Sequence, residues 1–486
     1  MRHWGRPALL WVSALALVSA SAASAQTPLW GQLADEDLAA ARALLVENHP
    51  GAAPEVGDRL FQQHLASGYQ AALELARKAT SFGGYRAALV RFAAAFDDQH
   101  IQSDPLVDAP RHWPGFRVAN RRGRWVVTHR ASDDAPEVGV ELVSCDGRSP
   151  DDLATLRLAP FHPSWQARAQ RIRVSSGLLM DEGYGVPRPS ECSFKTAASE
   201  TRPHRLNWSG VSTAQLDRIL AAGRGPEAED IALTPFQGGW WIRLGNSGAR
   251  AMPLLAKARE QRDALRSAPF VVMDLRGNDG GASFFTDELA KLIYGDPAVA
   301  RARSAAGNRE PETIVWRASP DALKTLEAYV QRVGRMASPE HPLALGMAAQ
   351  RDAVRRALAT GANIARAPAE VGTAPAAPAQ AGPRRPPRVI LITDRFCFSS
   401  CLVGAHLFRK LGARHVGEET HTNTRYSDLR RIDLPSGLST FSTMQSYSTY
   451  APMRFGPYAP TVTFSGDLGD DAAVQEWVAK RFLSPS

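Results

Sequence analysis

The sequence predicts an α/β protein built from three regions: a helical region, a β-rich region and a region in which strands and helices alternate. Residues 34–96 carry apolar side chains at helical spacing. Residues 125–153 indicate strands and an Asp-Gly turn. From residue 239 onwards, buried strands alternate with helices, which is typical of the crossover units of an α/β layer. A chain of 486 residues suits more than one domain.

The composition is that of an ordinary globular protein with a basic surface. Hydrophobic residues make up 44% of the chain and charged residues 22%, and the net charge is +8. Basic runs such as Arg384-Arg385 are short and are not interleaved with aromatic residues, which argues against nucleic-acid binding. We therefore interpret the positive charge as solvated surface.

The first 25 residues predict an export signal. Two arginines give a positive start, residues 8–18 form an apolar core, and residues 23–25 (ASA) form a small-residue cleavage site before Gln26. A membrane anchor is the alternative, but an apolar run of about ten residues is too short to span a bilayer. We therefore expect a mature chain that starts at Gln26, is periplasmic or secreted, and has no stable membrane insertion.

The four cysteines gain importance in an exported protein, because an oxidising compartment permits disulfides. Of the pairings available, we favour Cys145 with Cys192. A link between Cys397 and Cys401 stays open, since their close spacing at a helix start leaves little conformational freedom. We expect no metal site, because neither pair has the two-residue spacing of a zinc knuckle.

The N-terminal region, residues 26–105, is predicted to be a helical domain. Its first helix ends at the His-Pro-Gly sequence of residues 49–51, which breaks a helix. A second helix fits residues 56–78, and a third extends over residues 85–96. The third helix ends abruptly in the polar sequence DDQH of residues 97–100.

The middle region, residues 106–234, is predicted to be rich in β-strands. Residues 125–128 form one strand, and residues 138–153 indicate a strand, an Asp-Gly turn and a short helix. This order resembles the core of a PDZ-like module, and it is also the pattern of any β-turn-α unit.

The C-terminal region, residues 235–486, is predicted to be an α/β domain. Its expected elements are a strand at 240–244, a helix at 252–268, a strand at 269–277, a helix at 284–294, a strand at 389–392, a helix up to 410 and a strand at 415–416. Residues 367–388 are rich in proline and alanine, so we expect a disordered insertion there.

Two loops of this region follow buried strands. The first, DLRGNDGG at residues 274–281, contains glycines that allow backbone N–H groups to face a ligand, but it lacks the lysine and the spacing of a phosphate-binding loop. The second, TDRFCFSS at residues 393–400, ends in paired serines at the start of a helix. A serine in such a turn is either a nucleophile beneath the helix dipole or simply an N-cap.

The order of these motifs is more specific than either loop alone. The two loops, followed by VGEET at residues 416–420, resemble the tail-specific, or C-terminal processing, serine peptidase family, which includes the tricorn core domain and the interphotoreceptor retinoid-binding proteins. The resemblance covers roughly residues 235–430. It implies a crotonase-like (ClpP/crotonase) catalytic domain that acts on a polypeptide substrate without a metal or an organic cofactor.

The resemblance also assigns roles within the two loops. Ser399 matches the nucleophile of the family, and the backbone N–H of Ser400 would be one oxyanion donor. The other donor would come from the glycine loop, where Gly280 is the best match and Gly281 its neighbour.

The chain departs from the family pattern at three positions. Asp279 stands where a glycine is usual, and Leu402 replaces a common acidic residue. Asn423 occupies the position of the lysine base of the bacterial members, and the nearby Arg425 stays protonated and so cannot act as a base. A serine nucleophile therefore needs a base from elsewhere in the chain.

The best substitute for the lysine is His100. Its sequence, Asp-Gln-His at residues 98–100, resembles the Asp-Gly-His element of the tricorn-like and retinoid-binding branches, in which the histidine is the base. His421 is the rival candidate, because it is closer to the serine in sequence. A third residue should orient the histidine, and we predict Asp428 for this role, with Glu418 as the second choice.

The leading hypothesis is thus an exported serine peptidase that forms an acyl-enzyme on Ser399 with a histidine base. One alternative is a catalytically inactive protein of the same fold that binds a peptide or another ligand, and the missing lysine and Asp279 favour it. Another alternative is a hydrolase of non-peptide esters or amides.

Overall fold

The computed structural model describes residues 29–109, 111–196, 199–222, 230–303, 312–336, 342–369 and 385–483. The predicted export signal lies outside these residues, as do residues 370–384 of the proline- and alanine-rich stretch. Among the described residues, no helix combines the length and the apolar character needed to cross a membrane.

Three helices open the described chain: α1 (Trp30–Asn48), α2 (Arg59–Ala76) and α3 (Phe82–Ala94). The side chains of Asp58 and Ser81 cap α2 and α3 by accepting backbone N–H groups of the first turn. The helices bury their apolar faces in one core, which also contains Leu434 and Phe441 from the far end of the sequence. The N-terminal helices are therefore anchored directly to the C-terminal part of the chain.

The middle region contains β1 (Arg111–Trp113), β2 (Phe116–Arg121), β3 (Arg124–Arg130), β4 (Glu141–Cys145), α4 (Pro150–Arg157), α5 (Arg168–Val174), β5 (Glu191–Lys195), β6 (Thr201–Arg205), β7 (Ser209–Val211) and α6 (Thr213–Ala222). Strands β2 to β6 form an antiparallel sheet in chain order. Cys145 lies opposite Cys192 in this sheet, and the two form the predicted disulfide.

The next elements are β8 (Ile231–Phe236), β9 (Gly239–Leu244), α7 (Met252–Glu260), α8 (Arg262–Ser267), β10 (Phe270–Asp274), α9 (Phe284–Tyr294) and α10 (Asp296–Arg303). All residues of β10 are buried, because this strand is covered on both faces. The single helix predicted over 252–268 is two shorter helices, α7 and α8.

The chain continues with β11 (Thr313–Arg317), α11 (Pro320–Met336), α12 (Pro342–Thr360) and β12 (Ile364–Pro368). The predicted disordered insertion began at residue 367, but Ala367 and Pro368 belong to β12 and pair with β11. The prediction failed at this end because composition does not reveal a partner strand. At the other end, Arg388 already belongs to the following strand.

The last elements are β13 (Arg388–Thr393), α13 (Ser400–Lys410), β14 (Arg414–Gly417), β15 (Asn423–Thr424), β16 (Tyr426–Asp433), β17 (Thr440–Ser448), β18 (Arg454–Phe455), β19 (Val462–Thr463), α14 (Asp471–Val478) and a short π-helix, Ala479–Leu483. Strands β16 and β17 pair with β11 and β12 in a four-stranded sheet of order β12-β11-β17-β16.

A six-stranded sheet of order β19-β14-β13-β10-β9-β8 organises the C-terminal region. Its strands are parallel except for the antiparallel pair β8–β9. This sheet and its helices confirm the predicted α/β class. Strands β10 and β13 are parallel neighbours, so the loops that follow them meet at the same edge of the sheet.

Candidate active site

Ser399 lies at the turn between β13 and α13 in an unusual backbone conformation. Its φ is 54° and its ψ is −124°, a region that costs a residue with a Cβ of order 1–3 kcal/mol. The residue occupies the N-cap position, yet its side chain makes no capping hydrogen bond. Its hydroxyl instead faces the imidazole of His100, with 2.9 Å between Oγ and Nε2. Capping therefore does not account for this serine.

A second disulfide encloses this turn. It joins Cys397 to Cys401, which stand two residues before and two residues after Ser399. Both cysteines are fully buried. The pairing that the sequence left open is therefore formed, and it ties the two ends of the nucleophile turn together.

The imidazole of His100 is held on its other side by Asp98. Its Nδ1 lies 2.8 Å from Oδ1 of Asp98, which also accepts the backbone N–H of His100 at 2.9 Å. The second carboxylate oxygen accepts the hydroxyl of Thr424. An imidazole with its proton on Nδ1 donates to Asp98 and leaves Nε2 free to accept from Ser399. The ring also stacks on Phe398, with 4.6 Å between the ring centroids.

The carboxylate of Asp98 is buried but stays ionised. Burial by itself raises the pKa of a carboxyl group, but the charge of His100 and the hydrogen bonds from His100 and Thr424 outweigh it and lower the pKa of Asp98 to about 2. A permanent negative charge beside Nδ1 stabilises an imidazolium ion.

The structure does not bring Asp428 to this histidine. Its carboxylate is bonded to the hydroxyl groups of Ser446 and Ser427 in the four-stranded sheet. The register of β16 against β17 skips Asp428, and its φ is 63°, so an irregularity in the strand sets its direction. Glu418, the second choice, pairs with Arg395 at 2.8 Å. The third position is taken by Asp98, two residues before the histidine it orients.

His421 is near the site but is bonded differently. Its Nδ1 accepts the backbone N–H of Thr422 at 2.7 Å, and its Nε2 lies 3.0 Å from Oε1 of Gln170 and 2.9 Å from Nε2 of Gln99. Burial lowers the pKa of His421 to about 4. No hydrogen bond within the described chain joins His421 to Ser399, so the rival base is not positioned to take the serine proton.

The glycine loop contacts the nucleophile at Gly280. A Cβ added to this residue would lie 2.7 Å from Cβ of Ser399, and its φ of 122° also favours glycine. The N–H of Gly280 already donates to Oδ1 of Asn278 at 2.9 Å. Among the described residues, no acceptor meets the N–H of Gly281 or of Ser400. The N–H of Gly280 is thus engaged in this structure, whereas those of Gly281 and Ser400 are available to a ligand, and the oxyanion roles of the three residues stay predictions.

Three further positions were singled out in the sequence because they depart from the family pattern: Asn423, Leu402 and Asp279. Asn423 is buried in β15 and donates its amide to the carbonyl of Thr424, so it does not replace the lysine base. Leu402 is fully buried in the core, and Asp279 is exposed on the glycine loop. In the part of the chain that the structure describes, no group of side chains could hold a metal ion.

Comparison with known proteins identifies solved structures that have a similar fold. No protein-family model and no curated protein matches this sequence. Mature CPAF in complex with lactacystin is similar in structure, with a TM-score of 0.61 and 14% identity over 93% of this chain and 98% of CPAF. A second structure of mature CPAF gives a TM-score of 0.57 and 15% identity over 90% of this chain and 93% of CPAF. The chain has the fold of CPAF.

This likeness to CPAF extends over nearly the whole length of both chains, so it includes the N-terminal helices as well as the α/β region. Further matches include the photosystem II D1 C-terminal processing protease, at 13% identity over 91% and 96% of the two chains with a TM-score of 0.35.

Proposed function

We propose that the chain is an exported serine peptidase that cleaves polypeptides through an acyl-enzyme on Ser399. The observation that carries this proposal is the continuous chain of hydrogen bonds from Oγ of Ser399 through the imidazole of His100 to the carboxylate of Asp98. A nucleophile, a base and a group that orients the base are the parts that acyl transfer requires.

The proposed reaction begins when Nε2 of His100 takes the hydroxyl proton of Ser399 as the oxygen attacks the peptide carbonyl. The N–H groups of Ser400 and Gly281 stabilise the oxyanion of the tetrahedral intermediate. The imidazolium, held by Asp98, then donates its proton to the leaving amine, and a serine ester remains. A water molecule, activated by the same imidazole, hydrolyses the ester and restores the serine.

We also propose the finer domain assignment. Residues 235–486 would be a crotonase-like catalytic domain, supported by the parallel strands β9, β10, β13 and β14 with their flanking helices. Residues 26–105 would be the N-terminal helical domain, although its core includes residues of the C-terminal part. Residues 106–234 would be the PDZ-like module, supported by the antiparallel sheet of β2 to β6.

Export is supported by two independent features. The first 25 residues have the pattern of a signal sequence, and the chain forms two disulfides, which are typical of oxidising compartments. Amino-terminal sequencing of the exported protein should give Gln26 as the first residue. A retained amino terminus that stays with the membrane would contradict this assignment.

A fluorophosphonate probe tests catalysis directly, because it labels an activated serine. We expect the probe to label Ser399 in the wild type and not in Ser399→Ala, and a library of peptides to contain hydrolysed members. Labelling together with hydrolysis of small esters alone would favour the non-peptide hydrolase. If the wild type shows neither labelling nor hydrolysis, the protein binds its ligand without catalysis.

A further inference from the structure

Asp394 joins the two loops of the candidate site through its two carboxylate oxygens. Oδ1 accepts the backbone N–H of Phe396, in the nucleophile turn, at 3.0 Å. Oδ2 accepts the backbone N–H of Gly277, in the glycine loop, at 3.0 Å. The loops share one further hydrogen bond nearby, from the N–H of Phe398 to the carbonyl of Asn278 at 3.2 Å. Asp394 is thus the side chain that connects the donor loop to the nucleophile turn.

The surroundings of this carboxylate do not neutralise it. Arg395 points to Glu418, and Arg173 lies close enough to interact electrostatically with Asp394, but none of the ion pairs among the described residues includes Asp394. Burial raises the pKa of Asp394 to about 6, against the effect of the two N–H donors. A buried, unpaired carboxylate costs stability in its charged form, so stability is a poor reason for an aspartate here.

We propose that Asp394 is a positioning residue that holds the glycine loop in register with Ser399, an inference that rests on the proposed peptidase function. Asp394 would thereby control the distance between the glycine loop and Ser399. This distance is short, because Gly280 leaves no space for even a methyl group beside the serine. An oxyanion donor must lie within about 0.5 Å of its productive position to be effective. A loop released from Asp394 would keep its fold but lose this alignment.

The same contacts predict that protonation of Asp394 affects the pH dependence of turnover. When Asp394 takes up a proton, one of its oxygens becomes a hydroxyl, which is a weaker acceptor, so the hydrogen bond from Gly277 or from Phe396 is weakened. Protonation of Asp394 should therefore lower turnover at acid pH, in addition to the loss of the free general base that acyl transfer requires. The acid side of the kcat profile should be steeper than the slope of a single proton.

Asp394→Asn tests the proposal, because the amide fills the same space but accepts at one atom only. We expect kcat to fall about 10- to 100-fold with KM changed less than about threefold, since donor alignment matters mainly in the transition state. The rate of fluorophosphonate labelling should fall in parallel. The acid side of the kcat profile should drop to the slope of one proton.

The matched control is Asp37→Asn, in the N-terminal helical core. Asp37 is also fully buried and also accepts a backbone N–H, that of Ser436 at 3.0 Å. This variant should lose thermal stability while keeping kcat within about twofold and retaining the steep acid slope. A purely structural effect of losing a buried carboxylate would appear in both variants.

An Asp394→Asn protein with at least half of the wild-type kcat and an unchanged acid slope would overturn the proposal. If this variant does not fold, the wild type alone decides, because a one-proton acid slope in the wild type contradicts the proposal and a steeper slope supports it. A wild type that neither hydrolyses peptides nor reacts with the probe overturns the proposed function, and the role of Asp394 with it.

Discussion

Two histidines, His100 and His421, flank the ring of Phe398. Of these two, His100 is the one arranged to take the hydroxyl proton of Ser399. The ring centroid of His100 lies 4.6 Å from that of Phe398, and the centroid of His421 lies 5.2 Å from it on an edge-to-face approach. His100 contacts a hydroxyl with one nitrogen and a carboxylate with the other. His421 contacts a backbone amide and two glutamine side chains.

The comparison indicates that hydrogen-bond partners, rather than proximity to Ser399 in sequence, decide which histidine is arranged to act as a base. His421 follows Ser399 closely along the chain, whereas 299 residues separate His100 from it. Burial lowers the pKa of His421 to about 4 against the weaker effects of Asp97 and Asp98, which makes it a weak proton acceptor. The carboxylate of Asp98 is bonded directly to the ring of His100 and not to that of His421.

The largest effect should come from removing the nucleophile or its base. Ser399→Ala and His100→Ala should each lower kcat by about 10⁴- to 10⁶-fold, and the double variant should be little worse than either single one, because the two side chains act as a unit. Peptide hydrolysis under saturating substrate measures this. Ser400→Ala is the control, since alanine keeps the backbone N–H. Full activity in His100→Ala would break the comparison and make His421 the next base to test.

The second-largest effect should come from changing Asp98, the carboxylate that is bonded to His100 and not to His421. Asp98→Asn should lower kcat by about 10³- to 10⁴-fold, because an amide carries no charge for the imidazolium and can stabilise the wrong tautomer. Asp428→Asn is the matched variant and should stay within about threefold of the wild type. The same kinetic assay covers both variants. A larger loss for Asp428 than for Asp98 would restore the original prediction for the third residue.

A third effect should appear in stability. The pKa of Asp98 is lowered to about 2 in the folded protein, below its ordinary value of 3.8, so its ionised form stabilises the fold above that ordinary value. This contribution, about 2 kcal/mol, should be lost as the pH falls from about 4 to about 2. Urea unfolding across this range should show a steeper loss for the wild type than for Asp98→Asn. Parallel curves would contradict the pairing of Asp98 with His100.

The smallest effect should come from His421→Gln. Glutamine retains a polar group for Gln170 and Gln99, so kcat should fall less than about tenfold, with a loss of about 1–2 kcal/mol in the free energy of unfolding. Kinetics and thermal unfolding on the same preparation separate the two quantities. A loss of activity as large as that of His100→Ala would show that both histidines take part in proton transfer.

Much of the architecture could be predicted from hydrophobic patterns. Helix α9 has the predicted bounds, and the buried strands β10 and β13 stand where apolar runs precede the two loops. Strand β12 was missed, because its pairing with β11 depends on contacts that are distant in sequence. Local composition favoured disorder for the end of this strand, and the partner strand overrides that preference.

Within the candidate site, sequence motifs located Ser399 and His100, which the structure brings together. Asp98 was passed over in favour of Asp428, although the signal was present in the Asp-Gln-His sequence itself. The engagement of the Gly280 N–H by Asn278 could not be predicted, because an asparagine two residues before a glycine permits such a side-chain turn without requiring it. Local hydrogen bonding thus decided the details that the motif left open.

The anchoring of the N-terminal helices on Leu434 and Phe441 has a consequence for how the protein is made. Translation delivers His100 early and Ser399 late, and the core that carries the histidine is complete only when residues beyond the serine have been synthesised. A ribosome-bound or truncated chain therefore has no assembled site. Under the proposed function, hydrolysis would begin only after these late residues have been synthesised and packed, which would limit the exposure of neighbouring nascent proteins to cleavage.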